Sequence, residues 1–103
     1  MATIEIKDYK IYLVSKATRA LAHMYLYDTS DNYFAHVAFM DEQADLPDPG
    51  QWESGVYRLY YHHKNYTEVV DLLRNEKPVY LWWLDSDPPI ASLVTTQEPI
   101  GEG

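Results

Sequence analysis

Val56-Tyr57-Arg58-Leu59-Tyr60-Tyr61-His62-His63-Lys64-Asn65-Tyr66-Thr67-Glu68-Val69-Val70-Asp71-Leu72-Leu73-Arg74-Asn75-Glu76-Lys77-Pro78-Val79-Tyr80-Leu81-Trp82-Trp83-Leu84 is the stretch in which the hydrophobic period changes twice. Tyr57, Leu59 and Tyr61 alternate with Arg58, Tyr60 and His62, the two-residue repeat of a strand. From Tyr66 onward the spacing is helical: Tyr66, Val69, Val70 and Leu73 fall at i, i+3, i+4 and i+7 and make one apolar stripe. Asn65 stands where an N-cap belongs, with Glu68 three positions later to reach back to it. Pro78 forces extended backbone at Lys77 and ends the helix. The next run, Val79 to Leu84, is apolar or aromatic at both parities, the pattern of a central strand covered on both faces. If the strands on either side of the helix share one sheet and run parallel, the crossover is right-handed and the helix covers one face only.

Toward the N-terminus the chain reads as strands. Leu21 to Tyr27 and Tyr33 to Met40 are separated by Asp28-Thr29-Ser30-Asp31-Asn32, all turn formers, and predict a hairpin. Ile4 to Val14 is also strand-like, but its apolar phase slips: Ile4 and Ile6 hold one parity, Tyr9, Ile11 and Leu13 the other. A bulge or tight turn near Lys7 and Asp8 accounts for the slip. Short connections place successive strands side by side, so the first half reads as an antiparallel meander of three strands. Asp41 to Gly55, with Leu46-Pro47-Asp48-Pro49-Gly50 inside it, is a long acidic loop, and its lone Trp52 either pins the loop to the core or faces a partner. Asp85-Ser86-Asp87-Pro88-Pro89 makes a turn, Ile90 to Thr96 a last strand, and Gln97 to Gly103 a frayed tail.

The expected fold is therefore α+β: a mainly antiparallel sheet of five to six strands, in the order β-β-β-β-α-β-β, with one helix on one face. It forms a single domain over residues 1–96, which suits a chain of 103 residues, since a chain of this size supports one core.

Sixteen acidic against eight basic residues give a net charge of -8. Such a charge repels phosphate backbones and anionic lipids, which argues against direct nucleic-acid binding and against a membrane surface. It also serves solubility alone. With no Cys, disulfides and thiolate chemistry are excluded. Met1 to Lys10 lacks the basic and apolar segments of a secretory signal, so the expected location is the cytoplasm.

No order of Ser, His and Asp marks a nucleophile, and no Gly-rich loop marks a phosphate site, so no catalytic residue and no cofactor is assigned. His23 and His36 face each other across the hairpin if four residues form its turn. Two imidazoles are not a metal site, and Asp85 with Asp87 is explained by its turn, so no metal is assigned.

What remains is the sheet face turned away from the helix. Period two places Arg58, Tyr60 and His62 there, joined by Tyr80 and Trp82 from the later strand, and Trp52 is the further candidate from the loop. Aromatic rings with Arg and His suit an interface. The expected function is a non-enzymatic interaction domain that binds a protein partner or itself, most simply as a homodimer. The alternatives are a small-molecule or carbohydrate-binding protein that stacks sugar rings on the aromatics, and an acidic inhibitor that imitates nucleic acid.

Overall fold

Ile6 and Tyr9, on either side of the expected phase slip, both reach the hydrophobic core, yet they do so from different sheets. The computed structural model describes residues 2–16 and 19–95. Thr96 and the expected tail from Gln97 to Gly103 lie outside the described residues. The strands are β1 (Ala2–Ile6), β2 (Asp8–Leu13), β3 (Ala20–Tyr27), β4 (Tyr33–Met40), β5 (Gly50–Gln51) and β6 (Tyr57–His62). After a 3-10 turn at His63–Asn65 come the helix α1 (Tyr66–Asn75), β7 (Val79–Leu84) and β8 (Ile90–Val94). The fold is α+β, mostly sheet, with one α-helix among the described residues.

The expected single antiparallel sheet is instead two sheets. One has the order β1-β7-β8 and is antiparallel throughout; the other has the order β2-β3-β4-β6-β5 and is mixed, because β4 and β6 pair in parallel. The chain crosses from the first to the second at Lys7, whose N–H donates to the Tyr27 carbonyl at 2.9 Å. The parity slip at Lys7 and Asp8 therefore marks a corner where the chain changes sheets, one way in which packed sheets are joined. The meander β2-β3-β4 forms as the sequence implies. The strands that flank the helix, β6 and β7, do not share a sheet, so no crossover between them exists.

The inner faces of both sheets and the helix stripe meet in one cluster. Met24, Leu26, Val37, Phe39 and Leu59 from the larger sheet join Ile6, Val79 and Leu81 from the smaller one, with Val69, Val70 and Leu73 from α1. The Tyr66 ring meets Phe39 edge-on, with centroids 5.1 Å apart, and Tyr57 packs on Trp83 at 4.8 Å. Rings thus bridge helix to sheet and sheet to sheet, the geometry in which aromatic pairs add to burial.

Two local expectations change. Asn65 makes no side-chain cap bond to the helix backbone; its amide Nδ2 donates to the Glu68 carboxylate at 3.1 Å, because the preceding 3-10 turn leaves Asn65 near ψ 0 rather than extended. In the hairpin, Asp28 Oδ1 accepts from the N–H groups of Ser30 and Asn32, each at 2.9 Å. The register then slips between Leu26 and Tyr27, so that Leu26 pairs with Ala35 but Tyr27 with Tyr33. Phe34 is the extra residue of this bulge, and it is buried in the core. A bulge re-aims a side chain in this way.

Leu81 has no exposed surface, whereas Ile90 on the edge strand β8 is 48% exposed. Leu81→Ala is expected to lose about 2–5 kcal/mol of stability through the cavity it leaves. Ile90→Ala should stay within about 0.5 kcal/mol. Urea unfolding of the two variants beside the parent chain measures both, and equal losses would contradict the shared core.

Candidate functional site

Alternation along β3 sends Ala22, Met24 and Leu26 into the core and leaves His23, Tyr25 and Tyr27 on the outer face of the five-stranded sheet. The same rule puts Lys10 and Tyr12 of β2, His36, Ala38 and Met40 of β4, and Arg58, Tyr60 and His62 of β6 on that face. Register turns these into rows across four strands: Lys10, Tyr25, His36 and Arg58 in one, Tyr12, His23, Ala38 and Tyr60 in the next. Tyr12 meets Tyr25 edge-on at 5.0 Å, Tyr25 meets Tyr33 at 5.4 Å, and Tyr33 is 6.1 Å from Tyr27. Lys10 Nζ lies 5.2 Å from the Tyr27 ring centre. Four tyrosines and a lysine thus make a continuous bed on the β2-β3 half.

The β4-β6 half of the face is covered by the chain itself. Because β4 and β6 are parallel, the segment from Asp41 to Val56 has to return the length of a strand, and it does so over the outer face. Its first part is held by the Asp41 N–H to the Arg19 carbonyl at 2.9 Å. His62 Nε2 donates to the Ala44 carbonyl, also at 2.9 Å. Its last part is a turn in which the Gly55 N–H donates to the Trp52 carbonyl at 2.8 Å and the Trp52 N–H to the Val56 carbonyl at 2.9 Å. Gly55 at φ 94 takes a conformation that other residues resist. The turn presents the Trp52 indole to His36, with rings stacked at 5.9 Å, and to the Arg58 guanidinium at 4.5 Å. Arg58 is also 5.2 Å from the Tyr60 ring, so its guanidinium is walled by aromatics.

Beneath Trp52 lies a compact polar cluster. His23 Nδ1 and His36 Nε2 are 2.9 Å apart, a ring-to-ring hydrogen bond whose donor is set by the tautomer. The expectation that these residues face each other directly, which needs a four-residue turn, is corrected: five residues separate the paired Tyr27 and Tyr33, the bulge adds one more, and His23 pairs with Ala38 and Tyr25 with His36. The two histidines are diagonal neighbours, within reach of ring side chains. His36 is only 5% exposed. Burial, then the charge of His23, then that of Arg58 push its pKa down to about 4. Its Nδ1 and the Nε of Arg58 are buried and without a hydrogen-bond partner. Burial also raises the Tyr33 hydroxyl above the usual phenol range; Tyr25 adds to this and Arg58 opposes it.

Of the residues singled out from sequence, Trp52, Arg58 and Tyr60 come together here. His62 shares the face, but its ring ties down the loop. Tyr80 and Trp82 do not join them: they belong to β7 of the smaller sheet, where they alternate with the core residues Val79 and Leu81, and Tyr80 is itself buried. The expectation that Tyr80 and Trp82 share a face with Arg58, Tyr60 and His62 fails because parity along a strand does not say which sheet the strand joins. Tyr12, Tyr25, Tyr27, Tyr33 and His36 were not singled out; the alternation of His23, Tyr25 and Tyr27 with Met24 and Leu26 is the signal that places most of them. Among the described residues, no three or more His, Asp or Glu side chains are grouped to hold a metal ion. Among the described residues no helix is long and apolar enough to cross a membrane. At Asp85-Ser86-Asp87 the Ser86 hydroxyl donates to the Pro88 carbonyl at 2.8 Å, which closes the turn.

The low pKa of His36 sets a pH dependence. In the unfolded chain its imidazole takes a proton near 6.5, and in the folded protein only near 4. Between these values the unfolded state binds the extra proton, so stability present above pH 6.5 falls as pH falls toward 4. Urea midpoints measured across that window are expected to decline for the parent chain and to decline less for His36→Gln. The same slope in both would place the titration elsewhere.

Compared with protein-family models, with curated proteins and with solved structures, the chain matches none.

Proposed function

We propose that this chain is a non-enzymatic, acidic interaction domain whose binding surface is the outer face of the five-stranded sheet, and that it docks a protein there, a second copy of itself foremost. The observation that carries this reading is the bed of Tyr12, Tyr25, Tyr27 and Tyr33, which the crossover loop leaves open. Tyr12 is 55% exposed, and Val14, of the same parity just beyond the edge strand β2, is 41% exposed. Apolar area held in water costs about 25 cal/mol per Å², so covering a contiguous patch of it favours association. Tyrosine suits such a face because it brings a large rigid ring with a polar tip. The β2 edge also has free backbone donors and acceptors that another strand can pair with. The absence of cysteine fits a reducing compartment, and the cytoplasm is the proposed location.

A second reading, a sugar-binding site, is favoured by Trp52. Its ring is 43% exposed and stands beside Arg58 and Tyr60, so one face of the indole is open to stack a sugar ring while the guanidinium donates to hydroxyls.

Sedimentation velocity over a wide concentration range distinguishes these. The parent chain is expected to shift toward a dimer as concentration rises, and Tyr12→Ser with Tyr25→Ser to remain monomeric while keeping its far-UV spectrum. A single 12.0 kDa species at every concentration removes self-association and leaves a different protein partner. Thermal stabilisation by a sugar, lost in Trp52→Ala, would instead support the second reading.

A further inference from the structure

The cluster under Trp52 contains a contrast that the docking surface does not explain. In a chain with two acidic residues for every basic one, Arg58 has no carboxylate partner among the described residues, where the only ion pair joins Lys7 to Asp31 at 3.0 Å. Arg58 is held instead between Trp52 and Tyr60. Its Nε–H is a buried donor without a partner among the described residues, and Nδ1 of its register partner His36 is a buried ring nitrogen likewise without one. Buried donors without partners are costly, and two side by side on adjacent strands are a recurring sign of a site for a ligand.

The chemistry of the pair identifies what it accepts. When the His23 Nδ1–H donates to His36 Nε2, the proton of neutral His36 sits on Nδ1. That nitrogen and Arg58 Nε then both offer N–H groups, and a planar oxyanion with two oxygens is the group that satisfies two such donors. The net charge of -8 repels a dianion more strongly than a monoanion. The site therefore favours carboxylate over phosphate.

We infer that His36 and Arg58 form a carboxylate-binding site on the outer face of the five-stranded sheet, with Trp52 as its movable cover, and that the carboxylate is one presented by a docked polypeptide. The source of the carboxylate rests on the docking reading above; the site itself does not. Trp52 is held over the pair by one stacked face and a short turn, and its other face is in water. Turning the indole aside opens both donors without breaking the sheet. Carboxylate binding also draws a positive charge onto His36, so its titration moves upward from about 4.

The test uses sodium acetate on the full chain, with sodium chloride at matched ionic strength as control. The Trp52 indole N–H and the His36 ring nitrogens are followed by NMR, assigned with Trp52→Phe and His36→Gln. Acetate is expected to shift both signals saturably while chloride does not, and to raise the pH at which His36 titrates. Arg58→Gln should abolish the effect. Arg58→Lys, which keeps the charge but loses the fork and Nε, should weaken it about tenfold. Identical responses to acetate and chloride, or an unchanged acetate response in Arg58→Gln, would overturn the site, and tighter binding of phosphate would overturn its preference for carboxylate. Two peptide arms then distinguish the source: one with a free C-terminus and no acidic side chain, the other amidated with an internal Glu. Acetate binding without any association in the sedimentation experiment removes self-docking and leaves the site standing; association without acetate binding removes the site and leaves self-docking standing.

Discussion

The parallel pairing of β4 with β6 is the constraint on which the functional surface depends. Parallel neighbours need a long return between them, and in most folds a helix supplies it. Here the helix comes one element later and serves the core, so the return is made by an acidic loop with one two-residue strand in it. The loop has to cross a sheet face, and the inner face is already filled by α1 and the smaller sheet. It therefore crosses the outer face. Trp52 and His62 hold it there through a stack and a hydrogen bond, and what it leaves uncovered is the tyrosine bed.

The two halves of that face differ in kind as a result. On the β2-β3 side, rings are partly exposed and meet edge to face or tilted, with Lys10 over one of them. On the β4-β6 side, polar groups are enclosed by aromatic rings, and the low dielectric there holds His36 neutral across the physiological range. Among the described residues no carboxylate pairs with Arg58, although Asp and Glu are abundant in the neighbouring loop. Charge is thus arranged locally against the sign of the whole molecule.

Much of the local structure was legible in the sequence because it is set by short-range chemistry. Asp28 to Asn32 could only turn, the Tyr66 to Leu73 stripe could only be one face of a helix, and Pro78 stopped it. The sheet partition was not legible, since alternation fixes which residues share a face of a strand but not that strand's neighbours. That is why Tyr80 and Trp82 were grouped with Arg58 and Tyr60, which belong to the other sheet. The slip at Lys7 was visible, but a corner between sheets and a bulge within one strand leave the same mark on parity. The contact of His23 with His36 was anticipated for the wrong register, and the bulge at Phe34 that sets the true one has no signature in the turn beside it. Trp52 as an anchor was legible from its setting in a Pro-rich loop; the two orphaned nitrogens beneath it depend on tertiary packing alone.

The corner at Lys7 has a consequence for how the molecule is made. Ile6 pairs with Val79 and Ala2 with Trp83, so the first strand of the smaller sheet must wait for nearly the last part of the chain, while the next strand, one residue on, pairs with its neighbour in sequence. During synthesis the meander has its partners early, whereas β1 hangs from it as an unmatched edge. Pairings so distant in sequence are slow to close. Pairing of the segment from Ala2 to Ile6 with β7 therefore comes after the meander, and it completes the smaller sheet.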